Sequence, residues 1–294
     1  MPFQFKRKES VAKAVRRISR ERLAAARDSL KDSRRLESAH NVRKEIKKLR
    51  ALLRLVRDKI GRKQFRKNNR PLRRAAACLT CLRDAHVRLN AFKSLTAHLL
   101  ASPRPFPGIA ATLRESCREE EKRFLKSNSA SAVDRILCKL ARRARKLQTE
   151  IKGWAALGPG LRAGYARARE ALAAAQRQPS PENLHDWRKR VKDLWYDLRL
   201  LCRAAPKVRR SFIHILEQLG EFLGDDHDLV MLDEFAGRGN FPARELTGLR
   251  ALIRLRQKEL RSKAMTLGAR LLKESPGSFC ARMERQWKGW RRRK

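Results

Sequence analysis

Two short strings in this chain place the same residue types at the same spacing. His40-Asn41-Val42-Arg43-Lys44-Glu45-Ile46-Lys47 and His185-Asp186-Trp187-Arg188-Lys189-Arg190-Val191-Lys192 both read His-x-x-Arg-Lys-x-x-Lys. An imidazole followed by cations three, four and seven residues later suits the gripping of an anion. Arg offers a planar fork of donors that meets phosphate bidentately, and Lys adds a compact charge. His is mostly neutral at pH 7, yet it can donate one N–H, and a nearby phosphate draws it toward the charged form. Covalent chemistry is poorly supplied by comparison. There is no phosphate-cradling Gly-rich loop, no nucleophile elbow, no cluster of carboxylates for magnesium and no His-Glu-x-x-His. The expectation is a binder rather than an enzyme, with no cofactor and no metal.

A helix positions these residues. At 100° per residue, with His40 at zero, Arg43, Lys47, Arg50 and Arg54 fall between about 280° and 340°. Val42, Ile46, Leu49, Leu53 and Val56 form an apolar stripe between about 160° and 240°. Lys44 drifts to one side and Glu45 lies across the helix. The second string behaves alike: His185, Arg188, Lys192, Arg199 and Arg203 share a basic row that includes Tyr196, Lys189 drifts away, and Trp187, Val191, Leu194, Leu198 and Leu201 form the stripe. The row borders the core instead of opposing it, so its long side chains are partly held by neighbours. Like charges stacked at i,i+3 and i,i+4 destabilise a helix until a counter-anion arrives.

The whole chain agrees with an anionic partner. Its 294 residues carry 73 Lys and Arg against 30 Asp and Glu, a formal net charge of +43. That far exceeds what solubility needs, and a folded chain so charged repels itself. Hydrophobic residues at 42% are enough for real cores, which excludes a disordered basic tail. No apolar run is long enough for a membrane span, and no signal peptide is expected from the first residues. The six cysteines, including Cys78 and Cys81, read as packing residues of a reducing setting, so a cytoplasmic location is expected.

Strand signals are nearly absent, and Ala, Leu, Arg, Lys and Glu dominate. Breakers around 102–108, 153–160, 179–181, 237–242 and 275–277 leave helices at roughly 8–31, 38–59, 64–100, 109–151, 160–177, 182–204, 207–236 and 243–274. Asn68-Asn69-Arg70-Pro71 and Ser127-Asn128-Ser129 are expected to break the two longest. The fold class expected is all-α, as two four-helix bundles from an internal repeat with pseudo-twofold symmetry: residues 1–152, then 160–275, then a short basic tail at 276–294. A second correspondence supports the repeat. Arg83-Asp84 and His227-Asp228 fall one helix after the twin strings, with Asp84 aligned to Asp228 at nearly the same offset. Acids amid so many bases are expected to orient a cation of the cluster.

The twin strings, the later Arg83-Asp84 and His227-Asp228 pairs and the helix count resemble the CHAD family, the conserved-histidine α-helical domain, over about residues 8–275. The resemblance implies two four-helix bundles about a pseudo-twofold axis and binding of inorganic polyphosphate in a basic cleft or pore between them. Carried over, His40, Arg43, Lys47 and Arg50 fit the binding positions of the first half, and His185, Arg188 and Lys192 those of the second. Trp195 stands where the pattern of the first half has Arg50. Members of the family are often fused to a β-rich triphosphate-hydrolysing domain with a Glu-x-Glu-x-Lys strand, which this sequence lacks. The resemblance thus implies binding without hydrolysis, and attachment to polyphosphate granules is one expectation for a polyphosphate-binding module. Nucleic acid is the alternative polyanion, expected to be weaker; aromatics at 6% give no stacking series for single strands. An anionic membrane surface is a third candidate, suggested by Trp287, Trp290 and the run Arg291-Arg292-Arg293-Lys294.

Overall fold

Apolar residues recurring three and four apart fold the described residues of this chain into helices. The computed structural model describes residues 3–31, 36–99, 106–145, 153–202, 204 and 209–292. Among them are eleven α-helices and no strand: α1 (Val11–Lys31), α2 (Leu36–Leu55), α3 (Arg57–Ala77), α4 (Thr80–Leu99), α5 (Pro107–Lys126), α6 (Ser129–Arg145), α7 (Gly158–Arg177), α8 (Pro181–Leu201), α9 (His214–Arg238), α10 (Ala243–Leu271) and α11 (Pro276–Arg292). A π-helical turn, Arg209–Ile213, leads into α9. The expected breaker at 102–105, and Arg203, Arg293 and Lys294, lie outside the described residues.

Three local features turn the eight expected helices into eleven. The 109–151 segment breaks where expected. Ser127 is extended, and its Oγ accepts the Ser129 N–H while donating to the Phe124 carbonyl. The 64–100 segment does not break at Asn68–Pro71. Pro71 sits inside α3. It has no N–H for the Lys67 carbonyl four residues back, and Arg143 of α6 donates to that carbonyl at 3.1 Å instead. The actual break comes at Cys78 and Leu79, between α3 and α4. The third difference lies at the C-terminal end. Residues 276–292, expected as a tail, form α11, whose Phe279, Met283 and Trp287 are buried at helical spacing. Trp287 meets Phe5 edge-on at 5.7 Å.

Two apolar clusters hold the helices together, and each draws on both halves of the chain. One gathers α1, α2, α3, α6, α7, α8 and α11 with Phe3 and Phe5. The other joins Phe92 and Leu95 of α4 and Ile109 and Leu113 of α5 to Leu229 and Leu232 of α9 and Leu249 and Ile253 of α10. Each fully buried Leu, Ile or Phe in these clusters contributes about 1.5–3 kcal/mol.

The twin helices α2 and α8 pack against each other, and Arg54 of α2 pairs with Asp193 of α8. Gly160 of α7 lies so close to the Leu55 carbonyl at the end of α2 that a Cβ would collide with it. On its other side α2 is fixed to α1 by a buried ion-pair group: Arg22 reaches Glu45 at 3.2 Å, and Lys48 pairs with the same carboxylate. These contacts set the rotation of α2, and thereby the direction of its basic row.

Candidate anion-binding cleft

The two basic rows converge where α2, α4, α8 and α9 meet. Lys47 of α2 is exposed at this junction, with much protein packed around its ammonium. Its pKa is pushed down to about 8, first by burial and then by the positive charges of Arg188, Arg83, Arg43 and Lys192. A cation so perturbed by cations from both halves shows that the rows share one field.

Each cation is held by a particular backbone or side chain. Arg43 donates to the Ala76 carbonyl at 2.5 Å and to Thr80 Oγ1 at 3.0 Å, bracing the α3–α4 break. Burial and the nearby Arg83 hold its guanidinium below the usual range. Arg83 of α4 lies 2.9 Å from Asp84 and 3.5 Å from Asp228 of α9. Both acids of the second correspondence therefore converge on one guanidinium. Burial raises Asp228 above the ordinary carboxylate range, and Arg83 and Arg188 pull it back.

On α8, Arg188 and Lys192 lie along α9 over a track of two glycines. A Cβ on Gly220 would come within 2.9 Å of Lys192 Cε, and one on Gly224 within 3.5 Å of Arg188 Nε. The track lets two cations four residues apart on α8 rest on the α9 backbone. Burial lowers both pKa values, with neighbouring charges as further causes. Arg188 Nε is buried with no hydrogen-bond partner among the described residues. Such an orphaned donor costs free energy until something accepts from it.

Two of the three histidines meet. His185 and His227 face each other with ring centroids 4.0 Å apart and planes inclined at 37°. Burial, then the facing His185 and the surrounding cations, pushes His227 down to about 3, and burial with nearby cations lowers His185 and His40. His40 also opens onto a cavity of about 290 Å3, lined by Asn90 and Ser94 of α4 and by Asp225, Asp228 and Arg256.

Not every residue of the predicted rows reaches the cleft. Arg50 donates to Asn69 Oδ1 at 3.1 Å, and Arg54 is tied to Asp193, so both rest on structural partners. Lys44 is exposed on the flank of α2. Lys189 lies 3.1 Å from Asp186 on its own helix. Tyr196, placed on the basic face by its helical angle, is instead buried against Phe3 and Trp195, because the N-terminal segment crosses α8 there. Trp195 carries Arg199 over its ring at 4.5 Å and Lys192 at 5.2 Å, so an aromatic takes the place that Arg50 has on α2. The glycine track and Asp225 were missed from sequence, although Gly220-x-x-x-Gly224 was there to be read.

A family profile for the CHAD domain matches residues 10–237. The chain belongs to the CHAD family. The match runs from the start of α1 through nearly all of α9, and so takes in every CHAD residue described above. PptA from Streptomyces chartreusis shares the fold: its structure covers 90% of this chain, and this chain 100% of it, at a TM-score of 0.63 and 15% sequence identity. No curated protein sequence matches the chain. CHAD membership carries an association with polyphosphate. No helix among the described residues is long and apolar enough to cross a membrane.

Proposed function

We propose that this CHAD domain binds inorganic polyphosphate in the cleft between α2 and α8 and does not hydrolyse it. The observation that carries this reading is the gathering of Lys47 of α2, Arg83 of α4 and Arg188 and Lys192 of α8, cations of both halves, where α2, α4, α8 and α9 pack together. A charge that the fold opposes is relieved by an anion, and a linear phosphate chain brings one every few ångströms. Arg43, Lys47, Arg83, Arg188 and Lys192 make the grip, and His40, His185 and His227 add N–H donors. Arg83 occupies the two acids, Asp84 and Asp228, which favours binding over general-base hydrolysis. Nothing in this arrangement reads a base edge, so nucleic acid is the weaker ligand. Granule attachment follows as the cellular expectation.

A competition titration at fixed salt tests the reading, with long-chain polyphosphate, duplex DNA and RNA at matched phosphate concentration. Polyphosphate should displace both nucleic acids, and binding should weaken steeply with salt. Equal affinities would leave only a general polyanion binder.

A further inference from the structure

A second cluster of cations lines a cavity of about 300 Å3 with nothing but basic side chains: Lys13, Arg16, Arg17 and Arg20 of α1 and Arg145 at the end of α6. The local acids are already engaged. Arg17 Nε lies 2.9 and 3.1 Å from the two Glu9 oxygens, its Nη1 lies 3.2 Å from Glu21, and its Nη2 donates to the Gln4 carbonyl at 3.1 Å. Arg17 is thereby a fixed wall, and Glu9 and Glu21 are spent on it. Lys13, Arg20 and Arg145 are exposed around the cavity.

The direction of this ridge is set by the α1–α2 contact. Arg22 marks the side of α1 that faces α2, since it reaches Glu45. At 100° per residue, Lys13, Arg16 and Arg20 stand about 120° to 180° from Arg22 around α1. On α2, the cleft residues His40, Arg43 and Lys47 stand about 140° to 160° from Glu45. The ridge and the cleft therefore look out from opposite sides of a two-helix layer. Helices packed about 8–10 Å apart, each about 10–12 Å wide, make that layer roughly 20 Å thick. A short oligophosphate cannot touch both faces.

We infer that the α1–α6 ridge is a second phosphate site, and that one CHAD chain bridges separate polyphosphate strands or distant parts of one strand. The inference rests on the reading of the cleft as a polyphosphate site and adds a consequence: the protein condenses its ligand. Two sites facing apart turn a one-to-one binder into a cross-linker, because each strand carries many equivalent positions for either site.

Calorimetry with inorganic tripolyphosphate, and light scattering with long-chain polyphosphate, test this on the full chain. The parent should take two tripolyphosphates, and Lys13→Ser/Arg20→Ser/Arg145→Ser should take one. That variant should keep the tighter affinity within about twofold while its scattering falls about tenfold or more. Lys47→Ala/Arg188→Ala/Lys192→Ala should lose the tighter site and retain the ridge. Arg114→Ser/Arg118→Ser/Lys122→Ser, the same charge removed from the exposed face of α5, should scatter like the parent. One site in the parent, unchanged scattering in the ridge variant, or an equal fall in the α5 control would overturn the inference. Full tight-site affinity in the Lys47/Arg188/Lys192 variant would instead overturn the cleft reading and leave the ridge count standing.

Discussion

The imidazoles of His185 and His227 face each other across α8 and α9, their centroids 4.0 Å apart. Two charged imidazoles this close would repel each other, and His227 sits at about 3. Both are therefore neutral in the free protein at pH 7. A group whose folded pKa lies below its unfolded value takes its proton more readily unfolded. Its contribution to stability is complete above about pH 6.5 and is lost as pH falls toward the folded value. The melting temperature of the free protein should drop across that window. A bound phosphate raises these pKa values, so affinity should climb as pH falls. An affinity profile flat from pH 8 to 5.5, in the parent and in His40→Ala/His185→Ala/His227→Ala alike, would remove the imidazoles from the grip.

Lys47 has the same sign at higher pH. Its folded value of about 8 lies below the ordinary 10.5, so the free fold is penalised below pH 8 and relieved as pH rises toward 10.5. Lys47→Met keeps most of the stem and removes the charge. Thermal melts at pH 7 should show the variant more stable than the parent and without the parent's gain between pH 8 and 10.5. Its polyphosphate affinity should fall about tenfold, the value of one charged hydrogen bond. A variant less stable than the parent would show that Lys47 is not opposed by its surroundings.

Arg83→Met strips Asp84 and Asp228 of their shared guanidinium. Leaving a part-buried carboxylate without its partner costs about 1–3 kcal/mol, measurable by urea denaturation. Arg83→Met/Asp228→Asn should recover much of that stability without recovering affinity. Recovery of both would make Arg83 a purely structural residue.

The glycine track supplies a matched pair. Ala is the better helix former by about 1 kcal/mol, so Gly220→Ala and Gly224→Ala should each leave α9 at least as helical. Only Gly220→Ala crowds its cation, at 2.9 Å from Lys192 Cε against an ordinary 3.5 Å from Arg188 Nε for Gly224→Ala. Titration should show a severalfold loss for Gly220→Ala and little change for Gly224→Ala. Equal losses would mean that the track does not seat Lys192.

Tyr196→Phe should bind polyphosphate within about twofold of the parent, since the hydroxyl lies in the core and burial pushes its pKa up to about 12. A large loss would return Tyr196 to the cleft.

The helical angles of α2 and α8 were legible because a regular helix makes direction a function of sequence position. That is why His40, Arg43, Lys47, Arg188 and Lys192 were found together, and why Lys44 and Lys189 were seen to drift. Angles say nothing about what crosses a helix, and so Tyr196 went astray beneath Phe3. Pro71 misled for a related reason: the breaking tendency is local, and the Arg143 donor that satisfies the Lys67 carbonyl comes from three helices away in sequence. The meeting of Asp84 and Asp228 on Arg83 is a tertiary fact of the same kind. The α11 helix was missed because its basic residues masked the Phe279, Met283, Trp287 stripe.

Arg291 of α11 reaches back to the N-terminal segment, donating to the carbonyls of Arg7 and, at 2.7 Å, Glu9, while Phe5 rests on Trp287. The first and last described segments thus lie side by side. A short Gly-Ser tether from Arg292 to Phe3, with new ends opened at the exposed Ser127–Asn128 turn, gives a circular permutant that keeps the described helices intact. By the same geometry, a reporter joined just before Phe3 or just after Arg292 starts from one patch beside α8 and α11, so it can be moved between the two positions with little change of place on the surface of the protein.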